Sequence, residues 1–184
     1  MTASSPRSAE RPPGRLSDRI VLVGMMGSGK TTIGEALGRR LGRRVRDSDR
    51  EIEALTGSTV AEMWAAGEVD RFRQLESQVL ADALASTEPA VVAAAGGVVL
   101  ADTNRRLLSD HWPVVWLRAR LVTLVGRVGD GAGRPLLAGD PAAAMAQLDA
   151  ERRPLYGEVA DVIVDVDGLE ADQVVDAIVA GLGS

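Results

Sequence analysis

The sequence predicts an α/β fold in which an open parallel sheet is covered on both faces by helices, three layers in all. Two observations carry that expectation. Five short runs built around β-branched residues read as strands, and four of them are mainly apolar, as strands buried on both faces must be. The segments between them have the length and the period of amphipathic helices. Strands alternating with such helices imply βαβ units with right-handed crossovers. In sheets of this kind ligands sit beyond the carboxyl ends of the strands, so chemistry is expected in the residues that follow each strand.

The first run, residues 19–24 (RIVLVG), leads into Gly24-Met25-Met26-Gly27-Ser28-Gly29-Lys30-Thr31, which matches G-x-x-x-x-G-K-[ST] between a strand and a helix. The chemistry expected there is the grip of a nucleoside triphosphate. The turn through Gly27, Ser28 and Gly29 would fold the backbone tightly enough for several N–H groups to converge on one phosphate, at the positive end of the next helix. Lys30 would bridge the β- and γ-oxygens of ATP, the Thr31 hydroxyl would take a Mg²⁺ position, and Thr32 would add a donor to the α-phosphate. The helix that follows, residues 29–41, spaces Ile33, Leu37 and Leu41 along one face.

The second run, residues 44–47, ends in Asp47-Ser48-Asp49. Two carboxylates two residues apart can divide labour, Asp47 toward a metal-bound water and Asp49 toward a substrate hydroxyl. Helix capping is the commoner use of the pattern, with Ser48 and Glu51 as a capping box. Beyond Gly67-Glu68, a helix carries Phe72, Leu75, Val79, Leu80, Ala83 and Leu84 on one face. Arg73 on it could take a substrate carboxylate, oriented by Glu76, although a solvent-facing i,i+3 pair is the ordinary reading. Gly96-Gly97 follows the third run, residues 90–95, either to let a ligand approach the backbone or as a plain turn.

After the fourth run, residues 113–117, the stretch 129–137 (GDGAGRPLL) is glycine-rich and then abruptly basic. It suits a lid that delivers Arg134 to a transferring phosphate, or a surface loop with one arginine. Arg152-Arg153-Pro154 puts two cations at the expected end of a helical segment, where they could serve its dipole. A fifth run, residues 161–166, and a helix marked by Val174, Ile178 and Leu182 complete the chain. His111, the single histidine, is assigned no role.

Composition narrows the function classes. With 46 % hydrophobic and 26 % charged residues over 184 positions, one well-cored domain is expected, residues 19–184. A net charge of −5 argues against nucleic acid or an anionic membrane as partner, and no apolar run could span a bilayer. The absence of cysteine excludes thiolate chemistry and fits the cytoplasm. Residues 1–18 read as a disordered tail, with an organellar transit peptide the weaker alternative. Three Trp, one Tyr and one Phe leave the core to aliphatic residues. A monomer is expected.

Taken in order, GMMGSGKTT, DSD, FRQLE, GG, RPLL and RRPLY resemble the shikimate kinases of the nucleoside-monophosphate-kinase-like P-loop group, from about residue 19 to residue 181. The resemblance implies a five-stranded parallel sheet in the order 2-3-1-4-5, a helical substrate-binding region at about 48–80 and a lid at about 128–140. It implies transfer of the γ-phosphoryl group of ATP, with Mg²⁺, to the ring 3-hydroxyl of shikimate. Lys30, Asp49 and Arg134 would serve the reaction, Asp49 holding the acceptor hydroxyl. Thr31 would bind the metal directly and Asp47 through water. Arg73 and Arg152 would clamp the carboxylate, with Glu76 bracing Arg73, Gly96 and Gly97 under the ring, and Trp64 and Phe72 as aromatic walls. Arg127 would stack on adenine. The chain departs from the family pattern at Ala95, where a third glycine is usual, and at Trp64, where phenylalanine is usual. Two other readings are a kinase of quinate or gluconate, and a non-catalytic nucleotide-dependent sensor.

Overall fold

The computed structural model describes residues 17–131 and 134–183. Five strands, β1 (Arg19–Val23), β2 (Arg44–Asp47), β3 (Ala90–Ala93), β4 (Val114–Arg118) and β5 (Val162–Asp165), form one parallel sheet in the order β2-β3-β1-β4-β5. Eight α-helices are found among the described residues: α1 (Lys30–Leu41), α2 (Ser48–Thr56), α3 (Val60–Ala65), α4 (Val69–Ala85), α5 (Asp102–Ser109), α6 (Leu121–Val128), α7 (Pro141–Val159) and α8 (Ala171–Gly183). The expected class and strand order are both present.

The centre of the sheet is its most apolar strand. Ile20, Val21, Leu22 and Val23 of β1 are fully buried, each contributing about 1.5–3 kcal/mol by leaving water. β1 pairs with β3 on one side (Leu22 opposite Ala93) and β4 on the other (Val23 opposite Trp116), so the chain changes winding direction at the end of β1. That is where a crevice opens in sheets of this kind. α1 and α8 pack together over one face, and α5, α6 and α7 form the other layer. A Cβ on Gly38 would lie 2.6 Å from the Val45 side chain, so the glycine is what allows α1 to press so closely on β2.

A second, smaller core of Ile52, Met63, Phe72 and Val79 ties α2, α3 and α4 into a helical region beside the sheet, with Trp64 packed against it. The expected tail of residues 1–18 lies outside the described residues up to residue 16. At its end, the Ser17 carbonyl accepts from Arg43 at 2.6 Å and the Asp18 carbonyl from the Ala90 N–H at 2.8 Å.

Three local expectations need correction. Strand ends shift by one or two residues: β3 stops at Ala93, although Ala94 still donates to the Leu22 carbonyl at 3.0 Å. Ser48 does not cap α2. Asp47 does, accepting from the Arg50 N–H, while Glu51 makes a two-pronged ion pair with Arg46 (2.7 and 2.5 Å). Finally, α7 does not end at Pro154 but runs on to Val159. Proline forfeits one backbone bond there, and burial of Tyr156 and Val159 in the turn beyond it offsets that loss.

Candidate active site

Beyond the carboxyl ends of β1, β2 and β3 lies a cavity of about 680 Å³. Its floor is the loop between β1 and α1. Gly27 and Gly29 hold positive φ (81° and 93°), and Gly29 is the left-handed cap that starts α1. Gly27 is also fixed by space, since a Cβ there would be 3.2 Å from the Leu124 carbonyl of α6.

Lys30 opens α1 and reaches back over the loop, donating from Nζ to the carbonyls of Gly24 (2.8 Å) and Met25 (3.0 Å). Burial lowers its pKa to about 8; Asp49 and Asp47 oppose the shift, while Arg134 and Arg152 add to it. Beside it the Thr31 hydroxyl donates to Asp47 Oδ2 at 2.6 Å. A hydroxyl and a carboxylate in contact at the edge of a phosphate loop form the hard oxygen pair that suits a small divalent cation. No group of three or more metal-binding side chains occurs among the described residues, so a cation there would complete its shell with phosphate oxygens and water.

Asp49, in the first turn of α2, lines the cavity and remains exposed. Desolvation within the cavity raises its pKa above the ordinary carboxylate value. Lys30 pulls against the shift, and the negative charges of Asp47 and Glu53 reinforce it.

The far wall is built by α4, α7 and the turn after β3. Arg73 is ion-paired to Glu76, whose side chain is only 2 % exposed. Burial raises the Glu76 pKa, and Arg73 opposes that shift. The Arg73 guanidinium lies 5.4 Å from the Trp64 ring centroid and 5.7 Å from that of Phe72, so these rings cradle the arginine as well as lining the cavity. Gly97 supplies the remaining space: a Cβ there would come within 1.8 Å of Arg73 Nη1. At Gly96 a Cβ would meet nothing nearer than 3.6 Å, so the free protein itself does not demand that glycine. Arg152 is buried, makes no ion pair among the described residues, and its Nε has no partner there. A buried guanidinium left short of acceptors is costly unless an anion enters the site.

Arg134 closes the rim together with Pro135 and Leu136; residues 132 and 133 of the expected lid lie outside the described residues. The cavity therefore brings together Gly27, Gly29, Lys30, Thr31, Thr32, Asp47, Asp49, Trp64, Phe72, Arg73, Glu76, Gly96, Gly97, Arg134 and Arg152. Two expected residues are not on its wall. Ser28 is buried beneath the loop, its N–H turned to the Met25 carbonyl at 3.1 Å. Arg127, exposed on α6, reaches across the outer side of the loop to the carbonyls of Gly27 (3.3 Å) and Val166 (3.4 Å). Ala95 lines the cavity with only 4 % of its surface exposed.

Glu53 and Thr59 also line the cavity and were not anticipated. Glu53 stands four residues after Asp49, one helical turn along the same face, and that spacing was the available signal. No helix of the described residues is long and apolar enough to cross a membrane.

The family model for shikimate kinase matches residues 26–182. A shikimate kinase of Chromobacterium violaceum is 45 % identical over 152 residues, covering 82 % of each chain. The structure of shikimate kinase from Acinetobacter baumannii in complex with shikimate superposes with a TM-score of 0.83 at 34 % identity, covering 88 % of this chain and 90 % of that one. A gluconokinase from Sinorhizobium meliloti shares the fold alone, with a TM-score of 0.56 at 23 % identity over 89 % of this chain and 90 % of its own. A phosphate loop, a buried arginine with no ion pair among the described residues, and a match over nearly the whole described length lead to one conclusion: this chain belongs to the shikimate kinase family.

Proposed function

We infer that this protein is a shikimate kinase, moving the γ-phosphoryl group of ATP to the 3-hydroxyl of shikimate to give ADP and 3-phosphoshikimate. The observation that carries this reading is the union, in one cavity, of the Lys30 loop with two arginines, Arg73 and the buried Arg152, across from Asp49.

On this reading the two ends of the cavity have separate tasks. The loop residues Gly27, Gly29 and Thr32 hold the triphosphate, and Lys30 exchanges its carbonyl partners for phosphate oxygens. Thr31, with Asp47 through a water, would hold Mg²⁺, which supplies neutralisation of charge on the phosphates. Arg73 and Arg152 take the shikimate carboxylate, Glu76 keeping the first of them aimed. Asp49 accepts the hydrogen bond of the acceptor hydroxyl and takes its proton as the new O–P bond forms and the bond from γ-phosphorus to the bridging oxygen breaks. Arg134 brings a second cation to the equatorial oxygens and helps to exclude water. Ser28 contributes by shaping the loop, and Arg127 flanks the nucleotide from outside. Residues 19–184 act as one catalytic domain, with 128–140 as lid and 48–80 as acceptor region, in a cytoplasmic monomer.

ADP release from MgATP, with shikimate, quinate, gluconate and nucleoside monophosphates offered separately, tests the reading. Turnover well above the ATPase background is expected with shikimate. No turnover with shikimate, or faster turnover with another acceptor, overturns it.

A further inference from the structure

Asn104 of α5 is only 2 % exposed, yet none of the chemistry above uses it. Its Nδ2 donates twice, to Ser77 Oγ on α4 and to the carbonyl of Val98, each at 3.0 Å. Ser77 in turn donates from its hydroxyl to the carbonyl of Arg73 at 3.1 Å. Val98 directly follows Gly97, the residue against which the Arg73 guanidinium is packed too closely for any side chain. One nitrogen therefore holds both sides of that contact, the turn and the helix that carries the arginine. From the opposite flank, Tyr156 of α7 donates to the Gly96 carbonyl at 2.5 Å, one turn along from Arg152. The turn of residues 96–98 is thus suspended between the two helices that carry the two arginines.

The other end of the Asn104 amide is informative. Its Oδ1 is buried without a partner among the described residues. A buried acceptor left unmet is unfavourable, and an aliphatic side chain of similar size would avoid that cost. The contacts of Nδ2 account for an amide at this position, because they need two donors on one atom, and a hydroxyl has only one.

We propose that Asn104 is a positioning residue for acceptor recognition, fixing Arg73 against the turn of residues 96–98 and so setting its separation from Arg152 to suit one carboxylate. This rests on the reading of Arg73 and Arg152 as the carboxylate clamp. Its signature is a penalty that depends on the acceptor's charge. Steady-state kinetics of the wild type, Asn104→Leu and Ser77→Ala, with shikimate and with its carboxamide analogue, reads that signature. Both variants are expected to raise the KM for shikimate about 5- to 10-fold while changing that for ATP less than about twofold. The KM for the carboxamide, already poor in the wild type, should rise clearly less. The double variant should be no worse than Asn104→Leu, since both changes break the same chain of hydrogen bonds.

Equal penalties on shikimate and its carboxamide, or on shikimate and ATP, would make Asn104 merely structural and overturn the proposal. A wild type that does not distinguish the two acceptors would overturn the clamp itself, and the Asn104 proposal with it, so the wild-type arm separates the two failures. Should Asn104→Leu fail to fold, Ser77→Ala, which removes one hydroxyl from a half-buried position, decides by the same criteria.

Discussion

In the free protein the Lys30 ammonium donates to the carbonyls of Gly24 and Met25, and burial outweighs the attraction of Asp49 and Asp47 and brings its pKa down to about 8. Triphosphate oxygens in the same place would raise it again, so binding must be linked to proton uptake. Below pH 8 the free protein already carries the proton and binding takes up little. Above pH 8 it has lost the proton that the complex keeps, so uptake grows and apparent affinity falls as pH rises. Calorimetry with a non-hydrolysable MgATP analogue, in buffers of different ionisation enthalpy, should give clearly more proton uptake per nucleotide at pH 8.5 than at pH 7. Arg in place of Lys30 should abolish that difference. Identical uptake at both pH values would contradict the assignment. Lys30 was readable from the sequence because backbone spacing alone places it. Ser28 and Arg127 were placed less well, since whether a side chain faces the cavity or the protein depends on α6, which is remote in sequence and packs against Gly27. Taken by itself Arg152 was one of two adjacent cations, and only the resemblance made it a carboxylate ligand; that it is buried without an ion pair among the described residues could not be read before the helix was in place.

At the scale of elements, strands and their order along the chain followed from apolar runs, and helix ends did not. Pro154 suggested a stop that the buried Tyr156 overrides, and Asp47 rather than Ser48 caps α2 while also accepting the Thr31 hydroxyl. One carboxylate thus starts a helix with Oδ1 and meets the Thr31 hydroxyl with Oδ2. The short α3 is held differently. Thr59 and Glu62 form a capping box at its start, and Met63, 1 % exposed, roots it in the small core with Ile52, Phe72 and Val79. Met63→Ala should cost about 2–5 kcal/mol locally, as large-to-small changes in cores do. Because α3 carries Trp64, which flanks Arg73, the KM for the acceptor should rise several-fold with that for ATP little changed. Equal weakening of both substrates would mean that the helical region and the phosphate loop are not energetically separate.

At the scale of the whole molecule, the strand order was implied by resemblance and not by periodicity, since any run buried on both faces fits any interior slot. Edges are the exception. β2 holds a single apolar residue among three charged ones, Arg44-Val45-Arg46-Asp47, and β5 leaves Ile163 46 % exposed, whereas β1 buries four consecutive residues completely. The described residues form two cores of unequal size, the sheet with its two helical layers, and the α2–α4 cluster that bears Trp64, Phe72 and Arg73. Local opening is governed by how much apolar surface each part buries, so the two should open independently. Hydrogen exchange followed by mass spectrometry should find β1, β3 and β4 slowest and residues 59–76 faster in the free protein. Shikimate should slow residues 59–76 more than residues 24–31, and a non-hydrolysable ATP analogue should do the reverse. A sheet that exchanges as fast as the α2–α4 cluster, or shikimate protection confined to the phosphate loop, would show that one cooperative unit spans the cavity and that its two walls do not respond to different ligands.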